Sequence, residues 1–120
     1  MKIAVDAMGG DFAPKEIVAG AILAAKRYDC EIVLVGDQTQ IQKELDKNYP
    51  EWRKSTISIH HASDVVGMGE HPGVAVRRKK DSSIVVATRL VKEGKCDAVL
   101  SAGNTGAAAA SALFILGRIK

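Results

Sequence analysis

Hydrophobic positions along the chain fall into two patterns. Short apolar runs alternate with longer stretches in which apolar residues recur every three or four positions. The first run is Ile3-Ala4-Val5, closed by Asp6, and predicts a strand over 2–7. The turn Met8-Gly9-Gly10-Asp11 follows. Pro14 suits the first position of a helix, where its missing N–H costs nothing. Ile17, Val18, Ala21, Ile22 and Ala25 share one face of that helix, and Lys26 and Arg27 close it where cations suit the dipole. A second strand is predicted over 31–35, ended by Gly36-Asp37. Asp37 and Gln40 have capping-box spacing, and Ile41 and Leu45 share a face of a short, mostly polar surface helix. Residues 55–61 alternate around Ile57 and Ile59 as a third strand. The connection 48–54, with the lone Trp52, has no regular pattern.

The stretch 63–71 reads as an irregular loop, with Gly67, Gly69 and the carboxylates Asp64 and Glu70. Pro72 opens a short helix through Val74, Val76 and Arg77. Ser82 or Ser83 caps another, whose inner face is Val86, Leu90 and Val91, and Gly94 takes the C-cap place.

Asp97-Ala98-Val99-Leu100-Ser101-Ala102-Gly103-Asn104-Thr105-Gly106-Ala107 is the most informative stretch. Ala98, Val99 and Leu100 predict a strand covered on both faces. Gly103 is free to take φ > 0, Gly106 lets a ligand approach the backbone, and Asn104 or Thr105 can cap a helix over 105–119. The free N–H groups of its first turn suit an anion such as phosphate. A tight connection that binds nothing accounts for the same residues equally well. The stretch is neither a Walker A loop nor G-x-G-x-x-G.

Strands alternating with helices predict an α/β fold, a three-layer αβα arrangement around a mostly parallel sheet with right-handed crossovers. Ligands bind such sheets beyond the carboxyl ends of strands, where both glycine turns fall. The last helix carries Ala107 to Ala110, Ala112, Leu113, Phe114, Ile115 and Leu116 and has almost no polar face. A helix apolar all round needs cover, from further chain or from another subunit.

Composition narrows the picture modestly. Of 120 residues, 47% are hydrophobic and 26% charged, an ordinary globular balance. A net charge of +3 and 4% aromatics do not support nucleic-acid binding. Cys30 and Cys96 each precede an apolar run and read as buried reduced thiols. No signal peptide or membrane-spanning run is visible, which favours a cytoplasmic protein. The run Arg77-Arg78-Lys79-Lys80 is either a solvated helix face or, with Ser82 and Ser83 behind it, part of an anion site. His60 and His61 point to opposite faces of one strand, and His71 is expected in solvent. Asp6, at a strand's carboxyl end, is either a turn acceptor or a catalytic group. No metal-ligand cluster stands out.

Five stretches in order resemble one family. These are Ile3-Ala4-Val5-Asp6-Ala7-Met8-Gly9-Gly10-Asp11 with Ala13-Pro14, Leu34-Val35-Gly36-Asp37, Ala75-Val76-Arg77-Arg78-Lys79-Lys80-Asp81-Ser82-Ser83, Ser101-Ala102-Gly103-Asn104-Thr105-Gly106-Ala107, and Gly117-Arg118-Ile119-Lys120. Together they are similar to the amino-terminal part of the bacterial phosphate acyltransferase of phospholipid synthesis.

That resemblance implies an enzyme moving a fatty acyl group from acyl carrier protein to inorganic phosphate, giving acyl phosphate. It implies a fold like that of the isocitrate and isopropylmalate dehydrogenases and phosphotransacetylase. It further implies a homodimer touching the cytoplasmic membrane peripherally through parts beyond this sequence, with no cofactor. Residues 1–120 would then be the amino-terminal part of one catalytic domain, inactive alone. Candidates for holding phosphate or substrate are Gly9, Gly10 and Asp11 in the first turn, and Ser101, Gly103, Asn104, Thr105 and Gly106 in the last. Arg78, Lys80 and Ser82 could add to them, and Asp6 and Asn104 are the catalytic candidates. Two other functions remain open: a nucleotide-dependent oxidoreductase on the related dehydrogenase fold, and a non-catalytic piece that binds the carrier protein.

Overall fold

The four apolar runs assemble into one sheet. A computed structural model describes residues 1–117. The strands are β1 (Lys2–Asp6), β2 (Glu31–Gly36), β3 (Ile57–His61) and β4 (Ala98–Ser101). They lie in the order β3-β2-β1-β4, all parallel. The helices are α1 (Lys15–Arg27), α2 (Gln38–Asn48), α3 (Pro72–Arg78), α4 (Ser83–Lys92) and α5 (Thr105–Ser111). A 3-10 turn spans Trp52–Lys54, and a π-helical segment, Ala112–Leu116, continues α5. This is the expected three-layer α/β architecture.

Strand alternation sorts the core into layers. Val5 and Leu34 pack with Val18 and Ile22 of α1 and Ile41 and Leu45 of α2. Their neighbours Ala4, Val33 and Val35 face the other way, onto Val86, Ala87 and Leu90 of α4. A third cluster joins α3, α4 and α5 through Ala75, Val76, Ile84, Val85 and Ala107. The chain runs from β1 to β2 on one side and returns to β4 on the other. β1 is therefore where the strand order reverses, and the connections leaving β1 and β4 emerge side by side at the carboxyl edge of the sheet.

Several local expectations are met. Asp37 caps α2 by accepting from the Gln40 N–H at 3.1 Å. Gly94 has φ of +76°, the left-handed conformation that ends α4. Others are corrected. α1 begins at Lys15 with Pro14 as its cap residue. β3 starts at Ile57, because Ser55 is held back by its hydroxyl on the Trp52 carbonyl. β4 is not covered on both faces: it is an edge strand, and Leu100 is 62% exposed. Beside it, a largely apolar groove of about 520 Å³ runs between α1 and β4, lined by Ile3, Ile17, Ala21 and Leu100. Cys96 is buried, but Cys30 only partly so.

The last helix is regular only through Ser111, and Leu113, Phe114 and Leu116 on the π segment are exposed. The predicted helix end at Ile119 lies outside the described residues. No helix among those described is long and apolar enough to cross a membrane.

Candidate functional site

The two glycine turns form one structure. β1 and β4 are neighbours in a register that sets Asp6 against Ser101. The Ser101 hydroxyl donates to Asp6 Oδ2 at 2.9 Å and accepts the Gly103 N–H at 3.1 Å. Asp6 Oδ1 accepts the Met8 N–H at 3.1 Å. Asp6 is only 4% exposed, so its charge is directed at the donors of these turns rather than into solvent.

Past this pair, the backbones touch. A Cβ on Gly9 would lie 2.9 Å from the Gly103 Cα and nitrogen, and one on Gly103 would lie 2.9 Å from the Gly9 Cα. Gly103 is glycine for this approach and does not have positive φ. The left-handed residue is Gly10, at φ of +102°. The N–H groups of Gly9, Gly10, Thr105 and Gly106 find no acceptor among the described residues. These donors lie at the carboxyl edge of the sheet, beside the α5 start, where an anion is favoured.

Asn104 serves structure with every polar atom. Its Oδ1 caps α5 by accepting the Ala107 N–H at 3.0 Å. Its Nδ2 donates to the carbonyls of Gly67, Met68 and Glu70 at 3.1, 3.3 and 3.1 Å. The side chain therefore ties loop 67–70 to the start of α5. Gly106 has a further reason to be glycine: a side chain there would collide with the Pro72 ring, so this position permits close packing of α3 on α5.

The basic run divides. Arg77, Arg78 and Lys80 are exposed. Arg77 stacks on Phe114, 5.5 Å from the ring centre. Arg78 lines a cleft with Glu70 and His71, while Lys80 lines another with Arg77, Arg89 and Phe114. Lys79, which the sequence reading did not single out, is the engaged member. Its ammonium lies 2.7 Å from Glu70 Oε2, 2.9 Å from the Val65 carbonyl and 3.9 Å from Asp64. The hydrogen bond from Lys79 and the Gly67 N–H hold the Glu70 carboxyl below its usual range, and Glu70 raises Lys79. The two carboxylates of loop 63–71, set in a stretch with no other charge, were the available signal that a cation had to meet them.

Ser82 stands at the α4 N-cap position, but its hydroxyl makes no cap bond. The hydroxyls of Ser82 and Ser83 are buried and find no partner among the described residues. Asp81 accepts instead from the Ser63 hydroxyl and N–H, which lower its pKa. His71 is exposed as expected, yet its Nδ1 caps α3 by accepting the Val74 N–H at 3.4 Å. His61 Nδ1 accepts the Gln38 N–H at 3.1 Å.

A family model described as fatty acid synthesis protein matches residues 1–120. The chain belongs to this family. It is 58% identical over 120 residues to a phosphate acyltransferase of Pelotomaculum thermopropionicum, covering all of this chain and 34% of that protein. It is 63% identical over 119 residues to a phosphate acyltransferase of Desulforamulus reducens, covering 99% of this chain and 35% of that protein. A third phosphate acyltransferase, from Clostridioides difficile, is 49% identical over 120 residues. The chain spans about a third of the length of these relatives. Within the family match, the joined glycine turns, the Asp6–Ser101 pair and the loop clamped by Asn104 and Lys79 all belong to the carboxyl edge of the sheet and the elements beside it.

Proposed function

We propose that this chain contributes the phosphate-holding edge of an enzyme that transfers a fatty acyl group from acyl carrier protein to inorganic phosphate. The observation that carries the reading is the contact of Gly9 with Gly103, which joins two turns whose backbone donors, those of Gly9, Gly10, Thr105 and Gly106 among them, stay open beside a helix start. The names of the relatives supply the reaction class.

The chemistry fits such an edge. Backbone N–H groups hold phosphate without a group that titrates. One phosphate oxygen attacks the thioester carbonyl carbon, the C–S bond breaks, and the carrier thiolate leaves. Phosphate is already ionised at neutral pH, so proximity supplies much of the rate. Asp6 fixes the Ser101 hydroxyl, and that hydroxyl fixes the Gly103 N–H. Asn104 shapes the α5 start rather than taking part in proton transfer. In this reading residues 1–120 are the amino-terminal part of a catalytic domain in a cytoplasmic enzyme, completed by the length its relatives have.

Release of free carrier-protein thiol by the full-length protein, measured against phosphate concentration, tests the reading. Saturable dependence on phosphate, abolished by Gly103→Ala in a folded variant, is expected. Thiol release independent of phosphate would overturn it.

A further inference from the structure

Loop 67–70 is pinned from both sides. From just past the end of α3, Lys79 reaches Glu70 Oε2 at 2.7 Å and the Val65 carbonyl at 2.9 Å. Glu70 Oε2 also accepts the Gly67 N–H at 2.5 Å, and the Glu70 N–H donates to the Gly67 carbonyl at 3.2 Å, closing the turn. From the other side, Asn104 Nδ2 reaches three carbonyls of the same loop. An amide nitrogen carries two hydrogens, so one is shared among these acceptors. Three carbonyl dipoles converging on one nitrogen repel each other, so their convergence is favoured when the turn is held shut. Lys79 and Glu70 hold it.

The other end of Asn104 caps α5, next to the N–H groups of Thr105 and Gly106. The ion pair, the turn, the amide and the start of α5 therefore form one connected set of hydrogen bonds. Lys79 and Glu70 are both only partly exposed, which limits competition from water.

We propose that Lys79 is a positioning residue for the turn at the start of α5, acting through Glu70 and Asn104. As a statement about catalysis it rests on the phosphate-holding role proposed above. Its neighbours Arg77, Arg78 and Lys80 lack this role, because none of them makes a contact with loop 67–70 comparable to that of Lys79.

The test compares Lys79→Met and Lys79→Arg in the full-length protein. Hydrogen exchange at amides 67–70 and 104–107 reads the positioning through their hydrogen-bonded members, Gly67, Glu70 and Ala107. Phosphate saturation of thiol release reads its consequence. Lys79→Met should speed exchange in both segments and raise the phosphate KM roughly three- to ten-fold, with kcat and the carrier-protein KM close to unchanged. Lys79→Arg should restore both readouts. Unchanged exchange at 104–107 in Lys79→Met would overturn the proposal. So would faster exchange with an unmoved phosphate KM, since the pair would then be merely structural. Thiol release that does not depend on phosphate in the unsubstituted protein would sink the functional reading instead. Exchange at 104–107 would still decide whether Lys79 positions the turn.

Discussion

The Ser101 hydroxyl donates to Asp6 Oδ2 at 2.9 Å, joining residues 95 positions apart at the carboxyl ends of adjacent strands. The bond fixes where both glycine turns begin. Ser101→Ala removes a donor from a carboxylate that is 4% exposed. A hydrogen bond to a charged group is worth about 1.5–3 kcal/mol, so the denaturation midpoint should fall by a corresponding amount. A midpoint unchanged from the parent would mean that the bond does not form in solution. Phosphate-dependent transfer should fall too, because Gly103 loses its tether.

Asn104 yields a prediction opposed to simple capping rules. Asp is as good an N-cap as Asn. Here, however, Asn104→Asp would set a carboxylate against the carbonyls of Gly67, Met68 and Glu70. Asn104→Ala should cost about 1–3 kcal/mol. Asn104→Asp should be at least as damaging, and thermal unfolding of the two variants in parallel measures the order. An Asp variant as stable as the parent would show that the amide donors do not matter.

Gly106 and Pro72 should be coupled. Gly106→Ala places a methyl against the Pro72 ring, and overpacking of this kind costs about 1–3 kcal/mol. Pro72→Ala opens the space, so the double variant should be more stable than the sum of the single changes implies. A double-mutant cycle measures this, and strict additivity would contradict the contact.

The Lys79–Glu70 pair makes stability depend on pH at both ends. Glu70 is lowered, chiefly by its hydrogen bond from Lys79 and next by the Gly67 N–H. Its contribution is fully present above the ordinary Glu value of about 4.3 and is lost as pH falls through the depressed folded value. Lys79 is raised, chiefly by Glu70. Its contribution is fully present below the ordinary Lys value of about 10.4 and is lost as pH rises through the raised folded value. Glu70→Gln should flatten both limbs of a plot of Tm against pH, relative to the parent.

The cysteines should differ in reactivity. Burial pushes the Cys96 thiol up, so less of it is thiolate at any given pH. Cys30 is partly exposed. Mass spectrometry after brief alkylation of the folded protein should find the label on Cys30 first, and equal labelling would contradict the burial of Cys96.

Local rules carried much of the fold. The apolar runs at Ile3, Ile32 and Ala98 had to be strands because each is too short for a helix and is bounded by turn residues. Asp37 and Gln40 specify their cap within four residues of chain, and Gly94 ends its helix by its own backbone freedom. These features depend on neighbours in sequence, so they are legible there. The strand order β3-β2-β1-β4 is not local, and it decided the site. It placed Met8-Gly9-Gly10-Asp11 beside Ser101-Ala102-Gly103, where sequence shows two separate turns. It also gave the glycines a further reason to be glycine, because a collision with Gly9 or with the Pro72 ring depends on an element distant in sequence. Lys79 reads like its basic neighbours until folding brings Glu70 within 2.7 Å. Asn104 reads as a cap until loop 67–70 turns its carbonyls toward it. Sequence determined which residues could turn, cap or pair, and tertiary structure alone decided which partners they met, because those partners lie up to 95 residues away.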